Sequence, residues 1–211
     1  MTRATRAREY VEPMAELDDV GTTLLDAAAN LLASAGPEAL TVRRIAADAG
    51  MSTMNVYSRF GSKEGVVDRL FINGFELLAA GMTAAPTTAD PIADLRGCGI
   101  AYRRFATANP TLYSVMFERA VPDFEPSAAA KEVATRTLEV LAGRVKRAMD
   151  AGLLRRSDPI IAAAIIWSTC HGVVSLELKG IDPHKIQFDA VYEGACDAVL
   201  VGLAPRPGDG A

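Results

Sequence analysis

Aromatic residues make up only 6% of this chain, and just two of its 211 residues are histidine. With so few rings, the core must be built largely from Ala, Leu, Val and Ile, and half of the composition is apolar. His171 and His184 belong to no spaced ligand set such as HExxH, and the chain contains neither a GxSxG motif nor a phosphate-binding glycine loop. Cys170 and His171 are neighbours, about 100° apart on a helix, so they would not converge on one metal. Cys98, Cys170 and Cys196 show no close pairing and suit a reducing compartment. No unbroken apolar run approaches the roughly 18–20 residues of a membrane span. The basic N-terminus MTRATRAREY lacks the hydrophobic segment of a signal peptide. These absences point to a cytoplasmic protein that is not an enzyme, with no cofactor, no metal and no membrane partner.

What is present centres on residues 41–60, TVRRIAADAGMSTMNVYSRF. Thr41 is placed to cap a short helix carrying Val42, Ile45 and Ala46 or Ala49 on one face. Gly50 stands where that helix must end and turn, because glycine enters the left-handed region without a Cβ clash. Ser52 offers a second N-cap, after which Val56 and Phe60 lie four apart on an apolar face. The opposite face shows Thr53, Asn55, Tyr57, Ser58 and Arg59. That pattern predicts a helix-turn-helix whose second helix carries groove-reading side chains. Between Thr41 and Lys63 stand four basic residues, Arg43, Arg44, Arg59 and Lys63, against the single acid Asp48, in a chain whose net charge is −4. Such a local excess is what a phosphate-facing surface needs. The candidate DNA contacts are therefore Thr41, Arg43, Arg44, Ser52, Thr53, Asn55, Tyr57, Ser58, Arg59 and Lys63.

The rest of the chain reads as helix throughout. Residues 1–16 hold Arg3, Arg6 and Arg8 with little to bury, which suits a flexible basic arm or one that reaches a DNA minor groove. From Asp18 or Asp19, Val20, Leu24, Ala28, Leu31 and Ala35 repeat at helical spacing until Gly36-Pro37. Ser62 caps a fourth helix running to about Met82, with Glu64 in its first turn and Val67, Leu70 or Phe71, Phe75 and Leu78 inward. Asp90-Pro91, Asn109-Pro110, Asp158-Pro159 and Asp182-Pro183 each read as an N-cap followed by proline at the first helical position. Ser127 caps another helix. The helix from Pro159 is apolar all round, so it must be covered on two sides. The last helix, from about His184 to Leu203, sets Asp189, Glu193 and Asp197 apart from Val191, Tyr192, Ala195, Val199 and Leu203. A second copy of these two helices would complete a four-helix interface. The expected fold is all-α with about nine helices. It divides into an arm (1–16), a helix-turn-helix domain (17–64), a ligand-binding and dimerisation domain (65–203) and a tail (204–211).

IAADAG, followed by Ser52, Tyr57, Phe60 and Gly-Ser-Lys-Glu at 61–64, resembles the DNA-binding domain of the tetracycline-repressor (TetR) family over roughly fifty residues. Met54 and Asn55 depart from the family pattern, which more often has Gly or Pro and a small residue there, and Arg59 stands where it often has His. YRRFATANPTLYSVMF (102–117) and WSTCHGVVSLELKG (167–180) resemble the TetR-type C-terminal domain with a Trp-His-Gly signature, here Trp167, His171 and Gly172. The resemblance implies a transcriptional regulator.

Phe71, Phe75, Tyr102, Phe105, Tyr113, Met116, Phe117 and Trp167 gather much of the large apolar surface, as ordinary core or as a mostly apolar ligand pocket. His171 reads as a hydrogen-bonded core residue or as a polar tip of that pocket. The expected function is that of a homodimeric, ligand-responsive regulator, a repressor of a palindromic DNA operator released by a small hydrophobic effector. The alternative is a helical dimerisation or interaction protein with a vestigial helix-turn-helix.

Overall fold

The computed structural model describes residues 17–181 and 184–206, and every regular element among them is helical. The chain separates into two compact units, Met1–Val66 and Val67–Ala211.

In the first unit, α1 (Asp19–Ala35) starts where the Asp18 carboxylate accepts the Gly21 N–H at 2.7 Å, and it stops at Gly36-Pro37. Thr41 Oγ1 accepts the Arg44 N–H at 3.3 Å and begins α2 (Val42–Asp48). The turn after α2 is closed by the Gly50 N–H on the Ala47 carbonyl (3.0 Å) and the Met51 N–H on the Ala46 carbonyl (2.8 Å), with Gly50 at φ 66°. α3 (Thr53–Phe60) follows. Leu24 of α1, Leu40, Ile45 of α2 and Val56 of α3 are completely buried. Each of these side chains contributes roughly 1.5–3 kcal/mol of burial, which is what ties three short helices together.

α4 (Lys63–Ala84) begins at Ser62, whose Oγ accepts the Gly65 N–H at 3.2 Å. Gly65 is obligatory on steric grounds, since a Cβ there would lie 1.8 Å from the Phe60 carbonyl oxygen.

In the second unit, α5 (Pro91–Ala108), α6 (Pro110–Phe117), α7 (Ala128–Asp150), α8 (Pro159–Leu178) and α9 (Phe188–Leu203) join the body of α4. Asp90 accepts from the N–H groups of Ile92 and Ala93, Asp158 from that of Ile160, and Ser127 from that of Ala130. Asn109 holds the cap position of α6 differently, because its side-chain amide donates backwards to the Phe105 carbonyl at 2.9 Å. The last helix starts at Phe188 after Gln187, four residues later than the expected His184, and the Asp182-Pro183 cap lies outside the described residues. Arg144 of α7 donates to the carbonyls of Met82, Ala85 and Pro86 and so satisfies the end of α4.

The Arg155 N–H bonds the Leu203 carbonyl at 2.9 Å, so the start of α8 meets the end of α9 and the two helices run antiparallel. Over an 18-residue window α8 has a mean hydropathy of 1.6, so by length and composition alone it is long and apolar enough to cross a membrane, although the sequence shows no unbroken apolar run of that length. Thr169, Ser168 and Glu177 interrupt the apolar letters, which is why no unbroken run was visible. Ala162, Ala163, Ile166, Cys170, Val173 and Val174 of α8 are buried against its neighbours. Ile161, Ile165 and Leu176, together with Val191 and Val201 of α9, remain exposed.

Candidate functional site

The ten candidate DNA contacts all lie in the first unit. Thr41, Arg43, Arg44, Ser52, Thr53, Tyr57 and Ser58 are exposed, while Asn55, Arg59 and Lys63 are half-buried. Met54 and Tyr57 of α3 are 70% and 52% exposed, large apolar groups left uncovered between polar ones.

Arg59 is not a free cation. Its Nε donates to Asp18 Oδ1 at 2.8 Å and its Nη2 to Asp18 Oδ2 at 2.5 Å, the forked geometry of a two-point guanidinium–carboxylate pair. Its Nη1 reaches Asn55 Oδ1 at 3.3 Å, and Asn55 Nδ2 donates to Ser52 Oγ at 3.3 Å. Ser52 therefore occupies the N-cap position of α3 without bonding the helix backbone, contrary to the expected cap. The hydrogen bond from Arg59, helped by the Gly21 N–H, lowers the Asp18 carboxyl to about 2. Sequence reasoning placed the start of α1 at Asp18 or Asp19 and missed the pairing with Arg59, since 41 positions separate the partners. Along α3, then, a polar chain runs Asp18–Arg59–Asn55–Ser52, with Arg43 and Arg44 exposed on α2.

In the second unit a cavity of about 280 Å³ opens among five helices. Its wall takes Phe75, Leu78 and Met82 from α4, Cys98, Gly99 and Tyr102 from α5, and Phe117 from α6. Ala134, Thr135, Thr137, Leu138 and Leu141 come from α7, and Ile166, Trp167 and Cys170 from α8. Among the described residues no charged side chain lines it. Thr137 Oγ1 donates to the Val133 carbonyl at 3.0 Å and lies 3.3 Å from that of Phe75, so even this hydroxyl is turned to backbone.

Of the expected ligand contacts, Phe75, Tyr102, Phe117 and Trp167 lie in the wall. Phe71, Tyr113 and His171 belong to the aromatic cluster behind it. Phe117 is the hub of that cluster, with centroids 5.4 Å from Phe75, 5.1 Å from Tyr113, 5.8 Å from Trp167 and 5.0 Å from His171. Phe71 packs on Phe75 at 4.9 Å. Phe105 and Met116 are buried and do not line the cavity. Tyr102 Oη and Tyr113 Oη both approach His171 Nδ1 at 2.9 Å. Burial lowers the His171 pKa; Glu118 raises it and Lys179 lowers it further. Burial likewise raises the Tyr113 hydroxyl to about 12. A neutral imidazole between two protonated phenols is the stable arrangement. The α7 contribution escaped sequence reasoning because small residues such as Ala134 carry no pocket signature.

Residues 24–70 match the model of the bacterial regulatory proteins of the tetR family, and residues 95–199 match that of the tetracyclin repressor-like C-terminal domain. The chain belongs to the TetR family of transcriptional regulators. Trp167, His171 and Gly172 fall inside the second match. Among solved TetR-like folds, a protein of unknown function from Rhodococcus sp. RHA1 is 24% identical, with a TM-score of 0.77 over 92% of this chain and 100% of its own. The fatty acid degradation regulator FadR from Bacillus halodurans is 20% identical, TM-score 0.75, over 91% of this chain and 100% of its own. The TetR family transcriptional regulator PfmR from Thermus thermophilus is 24% identical, TM-score 0.66, over 86% of this chain and 99% of its own. These likenesses establish the TetR-type fold. No curated protein sequence matches the chain significantly.

Proposed function

We propose that the protein is a homodimeric repressor that binds a palindromic DNA operator through α2 and α3 and is released by a small, uncharged, mostly apolar effector. The observation that carries this reading is the cavity: about 280 Å³, without a charged wall residue, and bounded in part by α4, the helix that begins at Lys63. A cavity of about 150 Å³ already takes benzene, so ring compounds and short acyl chains are within its size. An ionic effector would find no partner there, and an unpaired buried charge is prohibitively costly. The likeness to a fatty acid degradation regulator agrees with a hydrophobic effector.

On the DNA side, α3 presents Thr53, Asn55, Tyr57 and Ser58 to the bases, while Thr41, Arg43, Arg44 and Lys63 address phosphates. Two copies of α3 would enter successive major grooves about 34–36 Å apart. The exposed apolar stripe of α8 and α9 supports dimerisation. Effector release requires tighter binding to the non-operator conformation, transmitted along α4. A dimer that works at an operator places the protein in the cytoplasm.

The test is binding to the DNA upstream of the protein's own gene, titrated against salt and then against a panel of hydrophobic compounds. Salt-dependent, sequence-selective binding reversed by an uncharged compound is the expected result. Binding that ignores sequence would favour the interaction-protein alternative, and release only by polar ions would overturn the effector class.

A further inference from the structure

The chain has three cysteines, scattered at positions 98, 170 and 196; the fold puts two of them in the cavity wall and the third against one of those two. Cys98 of α5 and Cys170 of α8 stand in the wall itself. Cys170 Sγ lies 3.8 Å from Cys196 Sγ of α9, and all three are free thiols. Gly99 leaves the approach open: a Cβ on it would sit 3.6 Å from Cys196 Sγ and 3.9 Å from Cys170 Sγ, in ordinary van der Waals space. Beside the pair, Tyr192 Oη donates to the Gly99 carbonyl at 2.6 Å. The two sulfurs, on different helices, must close from 3.8 Å to about 2.05 Å to form a disulfide.

We propose that Cys170 of the cavity wall and Cys196 beside it are an oxidisable thiol pair, converted to an α8–α9 disulfide by an apolar organic hydroperoxide. The Cys170 thiolate attacks the terminal peroxide oxygen. The O–O bond breaks, the alkoxide leaves and takes a proton to become an alcohol, and Cys170 becomes a sulfenic acid. Cys196 sulfur then attacks Cys170 sulfur, the S–O bond breaks, and the hydroxyl leaves with the Cys196 proton as water. In balance, two thiols and one hydroperoxide give one disulfide, one alcohol and one water.

The roles follow from the surroundings. Cys170 lines the cavity and Cys196 does not, which makes Cys170 the attacking sulfur; the hydrogen bond between the two thiols favours the Cys170 thiolate and holds the proton on Cys196. Cys98 differs: its thiol faces the Met82 carbonyl at 3.7 Å, and burial pushes its pKa up, so it remains a bystander. The oxidant class follows from the wall, which offers a neutral organic molecule area to bury and offers an ion nothing.

The experiment uses the reduced full-length protein and cumene hydroperoxide, with hydrogen peroxide as the polar comparison. The expected result is loss of two of the three titratable thiols, a mass lower by two hydrogen atoms, and a non-reducing peptide map joining the Cys170 and Cys196 peptides. Cumene hydroperoxide should act faster than hydrogen peroxide at equal concentration. Cys196→Ser should leave a sulfenic acid on Cys170 that dimedone traps, while Cys170→Ser should leave Cys196 unoxidised. Three intact thiols, oxidation centred on Cys98, or a link between two chains would overturn the proposal, and equal rates for the two peroxides would overturn the cavity route. The peptide map on the unmodified protein stands whether or not the variants fold. None of these readouts involves DNA or an effector, so they stand apart from the proposed repressor function.

Discussion

Asp18, the residue that caps α1, grips both edges of the Arg59 guanidinium on α3, at 2.8 Å and 2.5 Å. The helix expected to read DNA thus has its own cation already committed, and Asn55 is placed by that cation. Asp18→Asn keeps a good cap and removes the charge partner. The freed Arg59 should raise affinity for all DNA sequences and steepen the salt dependence by about one phosphate contact. Anisotropy titrations across salt check this, and an unchanged slope refutes it. Because the folded Asp18 pKa is depressed to about 2, its contribution to stability is complete above an unfolded value of about 3.9 and fades as pH falls through 2. Melting curves of the variant should lack that acid limb.

Positioning and reading should separate on the same surface. Lys63→Ala is expected to weaken every sequence alike and lower the salt slope by about 1. Asn55→Ala should instead change base preference at one operator position, by roughly 1–3 kcal/mol if the amide bonds a base edge in two places. Selection from a randomised operator library distinguishes the two; equal discrimination by the wild type and Asn55→Ala would move the reading surface elsewhere.

Filling the cavity should silence the effector response without touching DNA. Ala134→Leu adds bulk to the α7 wall of the cavity that Trp167 also lines, so operator affinity should hold while compounds that release DNA lose potency. Those compounds should alter Trp167 emission over the same concentration range in the wild type. Phe117→Ala is a poorer probe, because emptying the hub of the aromatic cluster costs about 3–5 kcal/mol of stability. Release without any change in Trp167 emission would separate the cavity from the switch.

The exposed apolar stripe gives a sharp test of assembly. Light scattering at micromolar concentration should report roughly twice the 22.3 kDa chain mass. Val201, 75% exposed on α9, should break the dimer when changed to Glu, with the helical signal retained. A wild-type monomer would remove the two-half-site reading of the operator.

His171 should impose a pH dependence near neutrality. Its folded pKa lies below the unfolded value of about 6.5, so the unfolded chain takes a proton that the folded chain resists. Stability is therefore full above that value and declines as pH falls from it towards the folded pKa. His171→Asn keeps an acceptor for the tyrosine hydroxyls and should show a smaller loss of melting temperature between about pH 7.5 and about pH 5.5. An identical loss in both proteins would place the titration on another group.

Local chemistry was legible in the sequence wherever a residue acts on its own neighbours. Thr41, Asp90, Ser127 and Asp158 cap the helices that follow them, and Gly50 makes the turn its position demands. The helix-turn-helix and the all-α fold follow from such signals. Asn109 stands at a cap position yet commits its amide to Phe105, since a side chain with two options is decided by geometry. The cavity wall was half legible. Large rings announce themselves, but Tyr113 is wholly buried beneath the wall while Ala134 and Gly99 form part of it. Which side of a helix meets empty space is set by distant packing, and the same holds for the meeting of Cys170 with Cys196.

The near-contact of Gly65 with the Phe60 carbonyl has a consequence for how such a regulator changes targets. The junction from α3 into α4 rests on backbone meeting backbone, where any side chain would collide at 1.8 Å. It therefore makes no demand on the identities of Thr53, Met54, Asn55 or Tyr57. Under the proposed function, those positions are free to drift towards a new operator while the local joint between α3 and α4 stays as it is. Gly65, which the joint requires, lies outside α3, so under that reading target preference can change without touching the joint.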